Sequence, residues 1–173
     1  MKRILLVGCS GAGKSTLSRK LADITKLPLY HLDKLHWLPG WTEPDHSEWL
    51  KIVKEHIAKD EWIIDGNYIH TMEMRAERAD TIIFFDFPTV LCLYRVLKRI
   101  LSKKPRLDAP AGCPEVIDLK FFLWIATFRG HTIPRINKIL KAQEAGKKIF
   151  ILHNRKEVDK FTEEFNKTFK NIQ

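Results

Sequence analysis

Near its start the chain reads Gly8-Cys9-Ser10-Gly11-Ala12-Gly13-Lys14-Ser15, with the apolar run Ile4–Val7 before it and an amphipathic stretch after it. Every fixed position of the pattern G-x-x-x-x-G-K-[ST] is filled, in the strand-then-helix context that the motif requires. Glycines let successive backbone N–H groups curl around a phosphate without side-chain clash. The following helix adds unpaired N–H groups and its dipole at the same place. Gly8, Ser10, Gly11, Ala12 and Gly13 are therefore expected to cradle phosphates, with Lys14 reaching the β- and γ-phosphates. The Ser15 hydroxyl is expected to complete magnesium coordination, and Thr16 to hold the α-phosphate side. ATP and Mg2+ are the cofactors this predicts. Cys9 reads as a small space-filling residue within the loop.

The remainder alternates strand-like and helix-like segments, which predicts an α/β fold with three α/β/α layers and a five-stranded, mainly parallel sheet. Strands are expected at Arg3–Val7, Leu27–Leu32, Trp62–Asp65, Thr81–Phe85 and Lys148–Leu152. Helices are expected at Lys14–Thr25, after Asp45 with Trp49, Val53 and Ile57 at helical spacing, within Ile69–Ala79, and at Thr89–Ser102. Two more should cover Glu115–Phe128 and Pro134–Ala145. Lys103–Pro114, with three prolines and a glycine, reads as a loop. Asn154, with Glu157 three residues on, should cap a final helix whose buried stripe is Val158, Phe161 and Phe165. The 173 residues fit one domain, 1–173.

Three cysteines, widely spaced and without a CxxC pair, argue against a disulfide framework or a structural zinc site. No apolar run is long enough to span a bilayer, and the N-terminus lacks signal-peptide features, so a cytoplasmic protein without membrane partners is expected. A net charge of +9 suits anionic ligands without choosing among them.

A carboxylate at the end of an apolar strand would complete a magnesium site, and two compete: Asp65 after Ile63-Ile64, and Asp86 after Ile82–Phe85. The third-strand position favours Asp65. From Phe87 to Leu107 no residue is acidic and six are basic, with Arg95, Arg99 and Lys103 four apart on one helical face. Such a row clamps a phosphoryl group, forms a solvated surface, or meets a nucleic-acid backbone. Asp33, after the second strand, either orients an acceptor hydroxyl and takes its proton or pairs locally with Lys34 or His36. Trp37, Trp41, Trp49, Trp62 and Tyr68 crowd the same region. Some could stack on a ligand, while Trp49 and Trp62 are expected in the core.

The phosphate loop, Trp62–Tyr68, Asp86-Phe87-Pro88 and the Arg95/Arg99 spacing together resemble the small nucleotide kinases of the adenylate-kinase-like branch. His31–Leu35, Pro39-Gly40-Trp41, Leu91–Arg99 and Gly112-Cys113-Pro114 further resemble the bacterial DNA topology modulation proteins, over Met1 to about Phe161. The resemblance implies an acceptor-binding segment at about 33–78 and a helical lid at about 102–135. It implies catalytic roles for Lys14, Asp33, Arg95, Arg99, Arg129 and Arg135, acceptor contacts from Asp33, Trp37, Asp65, Asn67 and Tyr68, and nucleotide contacts from Asn154 and Arg155. One departure stands out: adenylate kinases carry an arginine after the Asp-Gly of the third strand, where this chain has Asn67. A hydroxyl acceptor or an unusual phosphate fits that change better than an ordinary nucleoside monophosphate.

Two classes of function follow. One is magnesium- and ATP-dependent phosphoryl transfer to a small, nucleotide- or nucleoside-like acceptor. The other is an ATP-binding regulator associated with DNA, against which stands the lack of any recognisable nucleic-acid module.

Overall fold

In the computed structural model, which describes residues 1–102 and 108–170, β1 (Arg3–Gly8) is the middle strand of the sheet. It pairs in parallel with β3 (Trp62–Asp65) on one edge and with β4 (Thr81–Phe85) on the other. Outside these lie β2 (Leu29–His31) and β5 (Lys148–Leu152), giving five parallel strands in the order β2-β3-β1-β4-β5. Ile4–Val7, Ile63, Ile64, Ile82 and Ile83 are all inaccessible to solvent. That explains why the central strands read as unbroken apolar runs instead of alternating ones.

The helices are α1 (Lys14–Thr25), α2 (Leu32–His36), α3 (His46–Ile57), α4 (Ile69–Arg78), α5 (Thr89–Ser102), α6 (Leu119–His131), α7 (Ile133–Gln143) and α8 (Arg155–Lys170). α1 packs with α8, while α4 packs with α3 and α7. Right-handed crossovers put these groups on opposite faces of the sheet. The α8 stripe of Val158, Phe161 and Phe165 is buried as expected, and so are Trp49 and Trp62. Beyond β1 the connections part to opposite sides, opening the crevice where ligands enter such sheets.

Several boundaries differ from the sequence reading. The second strand is shorter than Leu27–Leu32, because Leu32 turns into the core as the first residue of α2. The helix expected from Glu115 starts at Leu119, where the Asp118 carboxylate caps it by accepting the Lys120 N–H at 2.8 Å. It also runs on to His131, and α7 begins at Ile133. Lys103, Lys104 and Arg106 of the basic stretch lie outside the described residues. Among the described residues no helix is long and apolar enough to cross a membrane.

Candidate functional site at the carboxyl end of the sheet

The loop leaving β1 turns back on itself through Gly8, Gly11 and Gly13, all with positive φ. At Gly8 a side chain is excluded twice over, since a Cβ would also stand 2.6 Å from the Phe85 carbonyl oxygen. The Lys14 ammonium lies back across the loop and donates to the carbonyls of Gly8 and Cys9, at 2.8 and 3.0 Å. Ser15 and Thr16 follow in the first turn of α1, where the Thr16 N–H donates to the Gly13 carbonyl at 3.1 Å. Cys9 is buried, and the neighbouring Cys92 thiol together with burial pushes its pKa up, so it serves as neutral packing.

Arg95 reaches this loop from α5. Its Nη1 stands 3.4 Å from the carbonyls of Gly11 and Ala12, and its guanidinium lies 5.3 Å from the Phe87 ring centre. A cavity of about 270 Å³ opens here, lined by Gly13, Thr16, Lys20, Phe87, Arg95 and Arg155 among others. Arg155 thus sits beside the phosphate loop. Asn154 does not line the cavity: its side chain is spent on the cap of α8, accepting the Glu157 N–H at 3.0 Å and donating to its carboxylate at 2.6 Å.

The two candidate carboxylates have different partners. Asp65 is 4 % exposed, accepts the Ser18 hydroxyl at 2.7 Å, and has His31 Nδ1 at 3.0 Å from each oxygen. A buried carboxylate must be paired, and here the pairing ties α1 and β2 to β3. Asp86 is held instead by Arg129 of α6, at 2.9 and 3.4 Å to the two guanidinium nitrogens. Arg99 is paired with Glu115 at 2.8 Å, while Arg135 is exposed and forms no ion pair among the described residues. Arg95 therefore meets the phosphate loop directly. Arg99 and Arg129 are each held by a carboxylate of their own.

After Asp65 the chain enters the turn Gly66-Asn67-Tyr68. The Asn67 side-chain oxygen accepts the Gly8 N–H at 2.9 Å, and the Tyr68 hydroxyl donates to Asp33 at 3.0 Å. Asp33 thus pairs with Tyr68, not with Lys34 or His36 as its local alternative would have it. Tyr68 occupies the left-handed region at φ 32, ψ 71, a conformation that costs a non-glycine residue about 1–3 kcal/mol. What holds it there is Arg75, which is fully buried. Its guanidinium donates to the carbonyls of Gly66 at 2.9 Å, Tyr68 at 3.0 Å and Thr71 at 3.2 Å, and also to that of Asn67. Burial pulls its pKa down to about 9, and among the described residues its hydrogen bonds all go to backbone carbonyls. Sequence reasoning passed over Arg75. The available signal was a cation on the same helical face as the apolar Met72, Ala76 and Ala79.

Around Asp33 the aromatic residues close up. His36, itself 8 % exposed, has Trp37, Trp49 and Tyr68 ring centres at 5.0, 4.6 and 4.5 Å, and Trp41 stands 5.5 Å from Trp37. Its Nδ1 has no hydrogen-bond partner among the described residues, and burial lowers its pKa against the opposing pull of Glu43 and Asp33. The segments expected to bind an acceptor and to form a lid also meet directly. Gly40 N–H donates to the Gly112 carbonyl and the Trp41 indole to the Pro114 carbonyl, both at 2.9 Å, and the Cys113 thiol donates to the Leu38 carbonyl at 3.1 Å. A side chain at Gly112 would come within 2.9 Å of Pro39.

Two solved structures share this arrangement of strands and helices across essentially the whole chain. A shikimate kinase from Acinetobacter baumannii in complex with shikimate superposes with a TM-score of 0.65 at 14% identity, covering 100% of this chain and 95% of that one. A shikimate kinase from Bacteroides thetaiotaomicron does so with a TM-score of 0.54 at 19% identity, covering 98% of each. The fold is that of a P-loop NTPase. No protein-family model matches the chain, and no curated protein matches it either. The likeness to the DNA topology modulation proteins and the DNA-associated reading thus find no support in these comparisons. Identity this low establishes the architecture and leaves the chemistry to be argued from the residues.

Proposed function

We propose that this protein is a phosphotransferase that uses Mg-ATP to phosphorylate a hydroxyl group of a small acceptor. One observation carries the reading. A complete phosphate loop, with Arg95 lying on it, is tied through the turn Asn67-Tyr68 to a carboxylate, Asp33, whose one hydrogen bond among the described residues is to the Tyr68 hydroxyl. One shikimate kinase of this fold is in complex with shikimate, a small molecule, and a nucleoside-like acceptor suits the aromatic residues around Asp33 equally well.

In this reading Lys14 exchanges the carbonyls of Gly8 and Cys9 for phosphate oxygens. Arg95 stabilises charge on the transferring phosphoryl group, joined on closure by Arg99, Arg129 and Arg135. Arg155 and the cavity beside Thr16 take the nucleoside end. Among the described residues no cluster of three or more His, Cys, Asp or Glu side chains could hold a metal. Magnesium suits such a site, because it keeps several waters and binds largely through substrate phosphates, leaving Ser15 as the protein ligand. The ion neutralises phosphate charge when bound. Asp65 contributes by fixing α1, and with it Ser15, through Ser18. Asp33 orients the acceptor hydroxyl and accepts its proton, while Trp37, Tyr68 and Asn67 shape its surroundings.

The test is ADP release from Mg-ATP across nucleosides, nucleoside monophosphates and small polyols, with Lys14→Ala as the blank. Acceptor-stimulated turnover lost in that variant supports the proposal and names the acceptor class. Tight Mg-ATP binding with no stimulation by any acceptor would sink it.

A further inference from the structure

Arg95 and Arg99 lie four apart on one face of α5, yet they meet different partners. Arg95 reaches the carbonyls of Gly11 and Ala12 in the phosphate loop. One turn along, Arg99 gives its Nε to Glu115 instead, at 2.8 and 3.0 Å from the two carboxylate oxygens. A carboxylate offers a guanidinium much the same paired oxygens as a phosphoryl group, so the two compete for the same donors. Glu115 thereby occupies the next cation on the face that Arg95 turns to the phosphate loop.

Glu115 belongs to no helix. It ends a strap, residues 112–115, that is fastened to the turn 38–42 by the hydrogen bonds Gly40 to Gly112, Trp41 to Pro114 and Cys113 to Leu38. The turn itself is closed by an antiparallel bridge between Leu38 and Thr42. Within it Trp41 keeps a left-handed backbone at φ 60, which a bulky residue holds only where its surroundings require it. Its indole is bonded to the strap at Pro114 on one side and packs on Trp37, ring centres 5.5 Å apart, on the other. Trp37 in turn ends α2, its N–H donating to the Asp33 carbonyl at 3.2 Å. From Asp33 to Arg99 the contacts therefore run without a break through Trp37, Trp41, Pro114 and Glu115.

We infer that Glu115 is a positioning residue that withholds Arg99 from the transferring phosphoryl group until an acceptor engages Asp33 and Trp37 and displaces the strap. The inference deepens the phosphotransferase reading and rests on it for the acceptor. Its effect is to suppress hydrolysis of ATP by water. While Glu115 neutralises Arg99, the site is one cation short for the charge on the γ-phosphate. An acceptor that binds better with the strap displaced than with it fastened supplies the free energy of release.

Calorimetry of the full chain with the magnesium complexes of ADP and of β,γ-imido-ATP tests this, because only the second carries the phosphate that a freed Arg99 would meet. Glu115→Gln should tighten the imido analogue about tenfold, as a hydrogen bond to a charged group does, and leave ADP within about twofold. Adding Arg99→Met should return both affinities to native values. Trp41→Phe keeps a ring but loses the donor to Pro114, and it should shift the analogue in the same direction as Glu115→Gln. An unchanged ratio of the two affinities in Glu115→Gln would overturn the inference, as would a gain that survives Arg99→Met. A native ratio in Trp41→Phe beside a raised one in Glu115→Gln would overturn the link to the acceptor turn. ADP release from Mg-ATP without acceptor checks the reaction separately, and it should rise about fivefold in Glu115→Gln. A raised affinity ratio with no ADP release above the Lys14→Ala blank, with or without the acceptor panel, would uphold the hold of Glu115 on Arg99 and sink the phosphotransferase reading.

Discussion

The side-chain oxygen of Asn67 accepts the N–H of Gly8 at 2.9 Å, joining the turn after β3 to the first residue of the phosphate loop. Because Tyr68, the next residue, bonds Asp33, one short turn touches both the phosphate loop and the carboxylate proposed to meet the acceptor. Asn67→Ala should therefore weaken Mg-ATP binding about fivefold, the equivalent of roughly 1 kcal/mol for one lost hydrogen bond. Isothermal titration calorimetry would read this, and an unchanged affinity would remove the linkage.

Arg75 holds that turn from below. Arg75→Met should cost roughly 3 kcal/mol or more in urea denaturation, since it leaves several buried carbonyls without a donor. Arg75→Lys keeps the charge but cannot span the same carbonyls, so it should be stabler than the methionine variant and still bind Mg-ATP more weakly than the native chain. Native-like affinity in Arg75→Lys would reduce the arginine to a packing role.

His36 supplies a pH dependence of definite sign. Burial lowers its folded-state pKa below the unfolded value, so at acid pH the unfolded chain takes up a proton that the folded chain resists. Its contribution to stability is full above the ordinary histidine range and falls as pH drops from about 6.5 toward the lowered folded value. Denaturant midpoints between pH 7.5 and 5 should show this loss, and His36→Phe should flatten that part of the profile. An identical slope in the variant would assign the titration elsewhere.

The pair of Asp86 and Arg129 offers a test of lid closure. Its arginine is 55 % exposed, so the pair contributes within about 1 kcal/mol and either Asp86→Asn or Arg129→Ala should melt close to the native chain. Their turnover should diverge. Arg129→Ala should lose about a hundredfold if that guanidinium reaches the phosphoryl group, while Asp86→Asn, which only releases it, should retain most of the activity. Equal losses in both would mean that the pair acts as a fixed strut.

Much of this was legible in the residues. The central strands carry near-continuous apolar runs, and the bounds of α1, α5, β3, β4 and β5 agree with the reading because local pattern and tertiary burial ask for the same residues there. The phosphate loop was legible for a different reason, since its function is carried by backbone shape and glycine spacing records that shape directly. The start of α6 was misplaced because Glu115 is a good helix former that the structure uses to pair with Arg99. Asp65 looked like an open metal ligand, and only the approach of Ser18 and His31 shows what it holds. Arg75 gave almost no sign at all.

By itself, then, the sequence determined the apolar strands, the glycine-rich loop and the helix that follows it, all of which depend on neighbours within a few residues. Only the tertiary structure decided which side chains are committed to one another across the sheet: Asn67 to Gly8, Tyr68 to Asp33, Arg129 to Asp86, and Arg75 to the carbonyls of a turn. Those pairings depend on the meeting of segments up to 59 residues apart, as for Asn67 and Gly8, and around the fully buried Arg75 it is burial that obliges each polar group to find its partner.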